Sequence, residues 1–185
     1  MLNLQLALLL LFTTEIGPEP KIEQHYRNGL VCEDISAEIE NRDIACQIEF
    51  ELLSEGLEPP MIEAVLLNSY AESRFNPMAV GDNGRSVGVF QLNINGLGHH
   101  MTKDERHDIR KSARRLAGAI RKSKRIKDAS DRGAETGELT RLVCTEIMRP
   151  SNKHAKARAR EALRDKLFVE SSSKRGILRS QVTES

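Results

Sequence analysis

The chain has 185 residues, 39% of them hydrophobic and 30% charged, which suits one compact domain with tails and argues against two full-sized domains. With no Trp, two Tyr and five Phe the core must be mainly aliphatic, while six Pro, twelve Gly and a net charge of +1 exclude collagen-like, linker-like and wholly disordered chains. The balance conceals an asymmetry: residues 1–72 hold fourteen acids against Lys21, Arg27 and Arg42, so the remainder is basic, a pattern that suits a polyanionic partner and equally a solvated surface facing the chain's own acidic half.

The run Leu2 to Phe12 (LNLQLALLLLF) is far shorter than the ~20 residues a spanning helix requires. It has the length of a signal-peptide core, but no cation precedes it and Thr13-Thr14-Glu15 offers no small-x-small cleavage site. Residues 1–20 are therefore read as a packing, anchoring or signal-like segment, 21–168 as the domain, and 169–185, polar and serine-rich, as a disordered tail.

Within the domain, Ile35, Ile39, Ala45, Cys46, Phe50 and Leu53 recur at helical spacing, and Gly56 with Pro59-Pro60 ends that helix. Met61 to Glu72 (MIEAVLLNSYAE) is apolar around most of its perimeter and reads as a central core helix. Val80 to Leu92, with Gly81-Asp82-Asn83-Gly84 and Val87-Gly88-Val89-Phe90, reads as a small hairpin. Thr102-Lys103-Asp104-Glu105 is a capping box opening a helix that runs to Lys127, with one apolar stripe and a basic face. A polar loop over 127–137, a short helix from Glu138 to Met148 and a last helix from Ser151 to Phe168 complete the chain. The expected class is mainly α, of the α+β type. Cys32, Cys46 and Cys144 lack CxxC spacing and sit in apolar or helical settings; they are read as buried free thiols, with a Cys32–Cys46 pair as the alternative in an exported protein.

Chemistry concentrates around Glu72. Its place at the C-terminal end of an apolar helix disfavours negative charge and is expected to raise its carboxyl pKa. A carboxylic acid kept protonated near neutrality is what glycosidic cleavage needs, because the leaving oxygen must receive a proton. The plainer reading is a carboxylate that merely ends a helix.

Glu72-Ser73 followed by Phe75-Asn76-Pro77-x-Ala79-Val80, and then Gly88-Val89-Phe90-Gln91-Leu92, resembles the signature of the soluble lytic transglycosylase family of the lysozyme superfamily. The turn Gly81 to Ser86 and the stretch Asn93 to Gly98 resemble bacteriophage virion-associated variants, and Met148-Arg149-Pro150 with the basic helix after it resembles the closing region of that family. The resemblance implies a lysozyme-like fold, with a small β-hairpin beside a helix bearing the catalytic Glu72, and a groove for peptidoglycan glycan strands. Glu72 would act as the acid and base that cleaves the bond between N-acetylmuramic acid and N-acetylglucosamine with 1,6-anhydro ring formation, needing no cofactor and no metal. Ser73 would orient Glu72, Gln91 would hydrogen-bond the sugar, Phe90 would support that strand, and Asn93 would be a further contact. The family often sets an aromatic from its last helices over the acid, whereas after Phe90 this chain has only Phe168.

The resemblance further implies a component of a virion acting on the bacterial wall, or alternatively an exported periplasmic protein. Contacts with other virion proteins are expected through residues 1–13 and the basic half. A water-using muramidase of the same fold, helped by Asp82, and a non-catalytic lysozyme-like virion subunit are the rival expectations. His99, His100 and His107 are poorly spaced for one ion, and the basic helix lacks aromatic interleaving or a reader motif, so metal and nucleic acid are not expected.

Overall fold

The computed structural model describes residues 31–168; the expectations for residues 1–30 and 169–185 lie outside the described residues. The described chain is mainly helical with a small three-stranded antiparallel sheet, an α+β arrangement. The helices are α1 (Arg42–Ser54), α2 (Pro59–Ser73), α3 (Lys103–His107), α4 (Ile109–Lys122), α5 (Lys124–Asp131), α6 (Thr136–Leu142), α7 (Lys153–Glu161) and α8 (Arg164–Leu167). The strands are β1 (Val80–Gly81), β2 (Ser86–Val87) and β3 (Leu92–Asn93), in that order, with Val80 opposite Val87 and Val87 opposite Leu92. No helix among the described residues is long and apolar enough to cross a membrane.

The structure centres on α2. Its start is set by Pro59 and Pro60, whose missing N–H groups cost nothing in a first turn. Met61, Ile62, Ala64, Val65, Leu66 and Leu67 are all buried, and α1 and α6 pack against the helix. Fully burying one such aliphatic side chain is worth about 1.5–3 kcal/mol, so this helix dominates the aliphatic core. It ends where Arg74 turns left-handed (φ 57) and donates its N–H to Tyr70 O.

The first helix starts later than its periodicity suggested. Ile35 and Ile39 lie before it, and Phe50, counted on the apolar stripe, is 52% exposed. The face Arg42, Cys46, Glu49 is occupied instead in anchoring the 3-10 turn Val31–Asp34. Glu49, fully buried, accepts from the Val31 and Cys32 N–H groups at 2.8 and 2.7 Å. Arg42 Nη2 donates to Glu33 O at 2.8 Å, and a disulfide joins Cys32 to Cys46 (Cα–Cα 5.1 Å). The free-thiol expectation is thus corrected for these two cysteines, which tertiary packing brings within bonding distance; Cys144 is free and buried.

Downstream, the long basic helix is interrupted twice. The capping box is present, Thr102 Oγ1 accepting from Glu105 N–H at 3.1 Å, but Asp108 and Ser123 adopt extended backbone and each caps a new helix, α4 and α5. The polar loop is shorter than expected, α5 reaching Asp131. The helix into Met148 relaxes into a π turn over Val143–Met148, and the last helix divides into α7 and α8. Ser36 N–H donates to Leu167 O at 2.9 Å beside an Ile35–Phe168 bridge, which seals the two edges of the domain together.

Part of the charge asymmetry is met within the chain. Arg110 pairs with Glu51, and Arg114 and Arg121 converge on Glu55, so one face of α4 meets the acidic α1. The Arg114 hydrogen bond, seconded by Arg121, holds the Glu55 carboxyl below its usual range. With the folded value below the unfolded one, this stabilisation is present above the unfolded pKa and is lost as pH falls through the folded value. Glu55→Gln is expected to lower stability by about 0.5–1 kcal/mol near neutrality, solvent screening the pairs, and its gap to wild type should close in acid when both are titrated with urea.

The disulfide closes a loop with a sequence separation of 14. Replacing Cys32 and Cys46 by Ser should cost about 3 kcal/mol of stability. Alkylation in denaturant should label one cysteine without reductant and three with it, read by intact mass.

Candidate active site

Glu72 lies in the last turn of α2, one side of which faces a groove of about 1010 Å³. The hairpin side of this groove holds Asp82, Ser86, Phe90, Gln91 and Asn93; the loop after β3, α4, the start of α5, the stretch around Met148-Arg149-Pro150 and α7 also line it. The helix and the hairpin are stitched in register by two hydroxyls on successive turns. Ser69 Oγ and Ser73 Oγ both donate to Val89 O, at 3.0 and 2.8 Å. Ser73 therefore secures the hairpin against α2 and is not bonded to the Glu72 carboxyl, contrary to the orienting role the resemblance implied.

That orientation comes from a residue the sequence reading missed. Arg160 on α7 is 4% exposed; its Nη2 donates to Glu72 Oε1, and its Nη1 donates to Asn68 Oδ1 at 2.7 Å. Asn68 is one helical turn before Glu72, and its amide donates to Ala64 O and Thr140 O at 2.8 and 3.2 Å. A guanidinium suits this site because its rigid fork serves two acceptors at once. The side chain that reaches Glu72 from the last helices is thus a cation, and Phe168 is spent at the Ile35 bridge. The apolar surroundings expected for Glu72 are corrected accordingly: its carboxylate is ion-paired through Oε1, and among the described residues Oε2 has no hydrogen-bond partner. The signal in the sequence was Asn68, a polar residue one turn from Glu72 on an otherwise apolar helix.

Cys144 lies within electrostatic reach of this pair. Burial pushes its thiol up, opposed by the Arg160 charge and reinforced by that of Glu72.

The hairpin is built from backbone conformations that side-chain-bearing residues seldom adopt. Arg74, Phe75, Asp82, Asn83 and Gln91 all have φ between 48 and 60°, and Gly88 has φ 79°. Such residues cost about 1–3 kcal/mol each and cluster where a site must hold a shape. Phe75 is fully buried with its ring 5.3 Å from Tyr70. At Gly88 a Cβ would lie 2.1 Å from the Arg106 carbonyl oxygen, so α3 approaches the turn as closely as glycine allows. Arg106, 3% exposed, donates from Nη1 to Arg85 O and Leu92 O at 2.7 and 3.0 Å, pinning the sheet from behind. His107 meets Pro77 O at 2.8 Å, while the His99 and His100 rings meet each other at a tilt; among the described residues no group of three His, Cys, Asp or Glu is arranged to hold a metal ion.

The remaining candidates come together on the hairpin wall. Phe90, 1% exposed, forms apolar floor. Gln91 lines the groove, but its Nε2 is engaged with Gly88 O and Ala79 O at 3.0 and 3.2 Å, which leaves Oε1 as the acceptor it can offer. Asn93 donates to Ser86 Oγ (3.0 Å) and Asp82 Oδ2 (3.3 Å) and accepts from Asn95 N–H (2.9 Å). Both ends of this amide are used within the hairpin, so Asn93 shapes the wall. Asp82 also accepts from Ser86 Oγ at 2.5 Å, which makes it a second, hydrogen-bonded carboxylate in the same groove as Glu72.

Arg160→Ala would leave Asn68 and Glu72 without their shared partner. A loss of about 3 kcal/mol is expected, the lower end for a broken buried pair because Glu72 is partly solvated. Arg158→Ala, on the exposed face of the same helix, should stay within about 0.5 kcal/mol of wild type; urea midpoints compare the two.

Comparison with family models, with characterised proteins and with solved structures finds no match for this chain.

Proposed function

We propose that this chain is a lysozyme-like lytic transglycosylase that cleaves peptidoglycan at the N-acetylmuramic acid to N-acetylglucosamine bond, with Glu72 as its acid and base. The observation that carries the reading is the site of Glu72: the end of the buried helix, in a groove, opposite a hairpin held in strained backbone geometry.

In this reading Oε1 stays on Arg160, and Oε2, which has no hydrogen-bond partner among the described residues, handles the proton. Protonated Oε2 gives its proton to the glycosidic oxygen as the bond to muramoyl C1 breaks, so the leaving sugar departs as an alcohol. The neighbouring N-acetyl oxygen shares the positive charge at C1. The resulting Glu72 carboxylate then takes the proton of the C6 hydroxyl while O6 attacks C1, which closes the anhydro ring and returns the carboxylic acid. In this reading Gln91 Oε1 accepts from a sugar hydroxyl, while Phe90, almost wholly buried, backs the strand that carries Gln91. No water, second carboxylate or metal enters the sequence of steps.

The disulfide supports action outside a reducing cytosol, in keeping with a virion component or a periplasmic protein that meets the wall. Asp82 in the same groove favours a second reading, a muramidase in which that carboxylate activates water.

Glu72→Gln should reduce release of 1,6-anhydromuropeptides from purified walls by about 10²–10⁴-fold, measured by mass spectrometry, with unfolding transitions showing that the variant is folded. Glu72-dependent products with borohydride-reducible muramic acid would assign the water-using reaction instead. Wall binding with no soluble product from wild type would leave a structural, non-catalytic subunit.

A further inference from the structure

A contiguous set of contacts runs from the disulfide to Glu72. The bond ties Cys32, in the 3-10 turn Val31–Asp34, to Cys46 on α1. That turn leads directly into Ile35 and Ser36, which meet the other edge of the described domain. Ile35 forms a bridge with Phe168, and Ser36 N–H donates to Leu167 O at 2.9 Å. Cys32, Ile35, Leu167 and Phe168 are all buried in one hydrophobic cluster. The turn and α8 have four residues each, too few for either to hold its shape alone. Glu49 and Arg42 help to hold the turn by hydrogen bonds, but the disulfide fastens it covalently. Arg160 stands in the last turn of α7, about two helical turns before Leu167, and its guanidinium holds Glu72 Oε1. Disulfide, edge seal, last helices and carboxylate are therefore connected in series.

We propose that the Cys32–Cys46 disulfide is a redox switch on the Glu72 site. Oxidised, it keeps the seal shut and Arg160 on Glu72; reduced, it lets α8 and the end of α7 loosen, and the carboxylate loses its aim. This rests on the reading of Glu72 as the catalytic acid. The chemistry is thiol–disulfide exchange with a dithiol of the class that keeps cytosolic thiols reduced. Cys32 is fully buried and Cys46 half-buried, so the reductant's thiolate attacks Cys46 Sγ. The S–S bond breaks, Cys32 leaves as a thiolate, and a mixed disulfide forms on Cys46. The second thiol of the reductant then displaces Cys46. Two electrons and two protons have passed to the two cysteines, and the reductant departs as a disulfide. Exchange with an oxidised dithiol reverses the step. The activity is thereby held low in a reducing compartment and released in an oxidising one.

The test follows the full chain oxidised, reduced with dithiothreitol and reoxidised, by amide hydrogen exchange and by release of 1,6-anhydromuropeptides from purified walls. Reduction should speed exchange in α7 and α8 about tenfold relative to α2 and α4, and lower product release about tenfold, both recovering on reoxidation. Cys32→Ser/Cys46→Ser should match the reduced protein whether or not reductant is present. Phe168→Ala, which opens the seal and keeps the disulfide, should loosen the same two helices in the oxidised protein; tight helices in that variant overturn the inference. Unchanged exchange in α7 and α8 on reduction overturns it, as does an equal rise in every helix or loss of the whole fold, either of which assigns the bond to global stability. Product release that ignores reduction in an active protein overturns it too. Local loosening with no product from either form keeps the coupling and sinks the catalytic reading; Glu72-dependent product from a protein whose last helices ignore reduction does the reverse.

Discussion

One guanidinium ties α7 to the central helix α2. Arg160 leaves α7 almost wholly buried and bonds both Asn68 and Glu72, the two polar groups that α2 presents one turn apart. Burying a cation is unfavourable unless anionic or dipolar acceptors surround it, so α7 can dock only where that pair of acceptors is offered. The same contact fixes by one oxygen the carboxylate of a residue that lines the groove. Packing, the closing of the domain and the aim of the candidate acid are therefore one interaction.

Around it the hairpin is held from three directions. Ser69 and Ser73 fasten Val89 to α2, Arg106 fastens Arg85 and Leu92 to α3, and the Asp82, Ser86 and Asn93 network braces the strands internally. These bonds offset the left-handed backbone at Asp82, Asn83 and Gln91. A wall only two residues per strand deep keeps its shape through side-chain to backbone bonds, since its own ladder is too short to do so.

The charge distribution follows from the same packing. The acidic α1 takes the cations on one face of α4, which leaves the other face to the groove and makes the wall opposite the hairpin positive. A chain with net charge +1 thus presents a polarised cleft, and the field within a cleft acts on a ligand more strongly than the sum over the molecule.

The class of fold, the central helix, the hairpin and the capping box were legible in the sequence, because each depends on local rules: apolar perimeter for α2, glycine-rich turn chemistry at 81–84 and 88, Thr102 with Glu105. Of the residues singled out in the sequence, Glu72, Phe90, Gln91 and Asn93 all line one groove. What was not legible depends on partners far along the chain. The face of α1 that reads as irregular is committed to Glu49, Cys46 and the turn they anchor, a pairing across 14 to 18 positions. The bond from Ser73 to Val89 spans 16 positions. Arg160 is one of many cations in a basic stretch, and nothing local distinguishes it from Arg158; only a contact spanning 88 positions does. Sequence periodicity determined which residues of this protein form and line its helices, since helix geometry repeats every few residues. Tertiary structure alone decided which carboxylate each cation meets, because burial and charge pairing depend on distance in space.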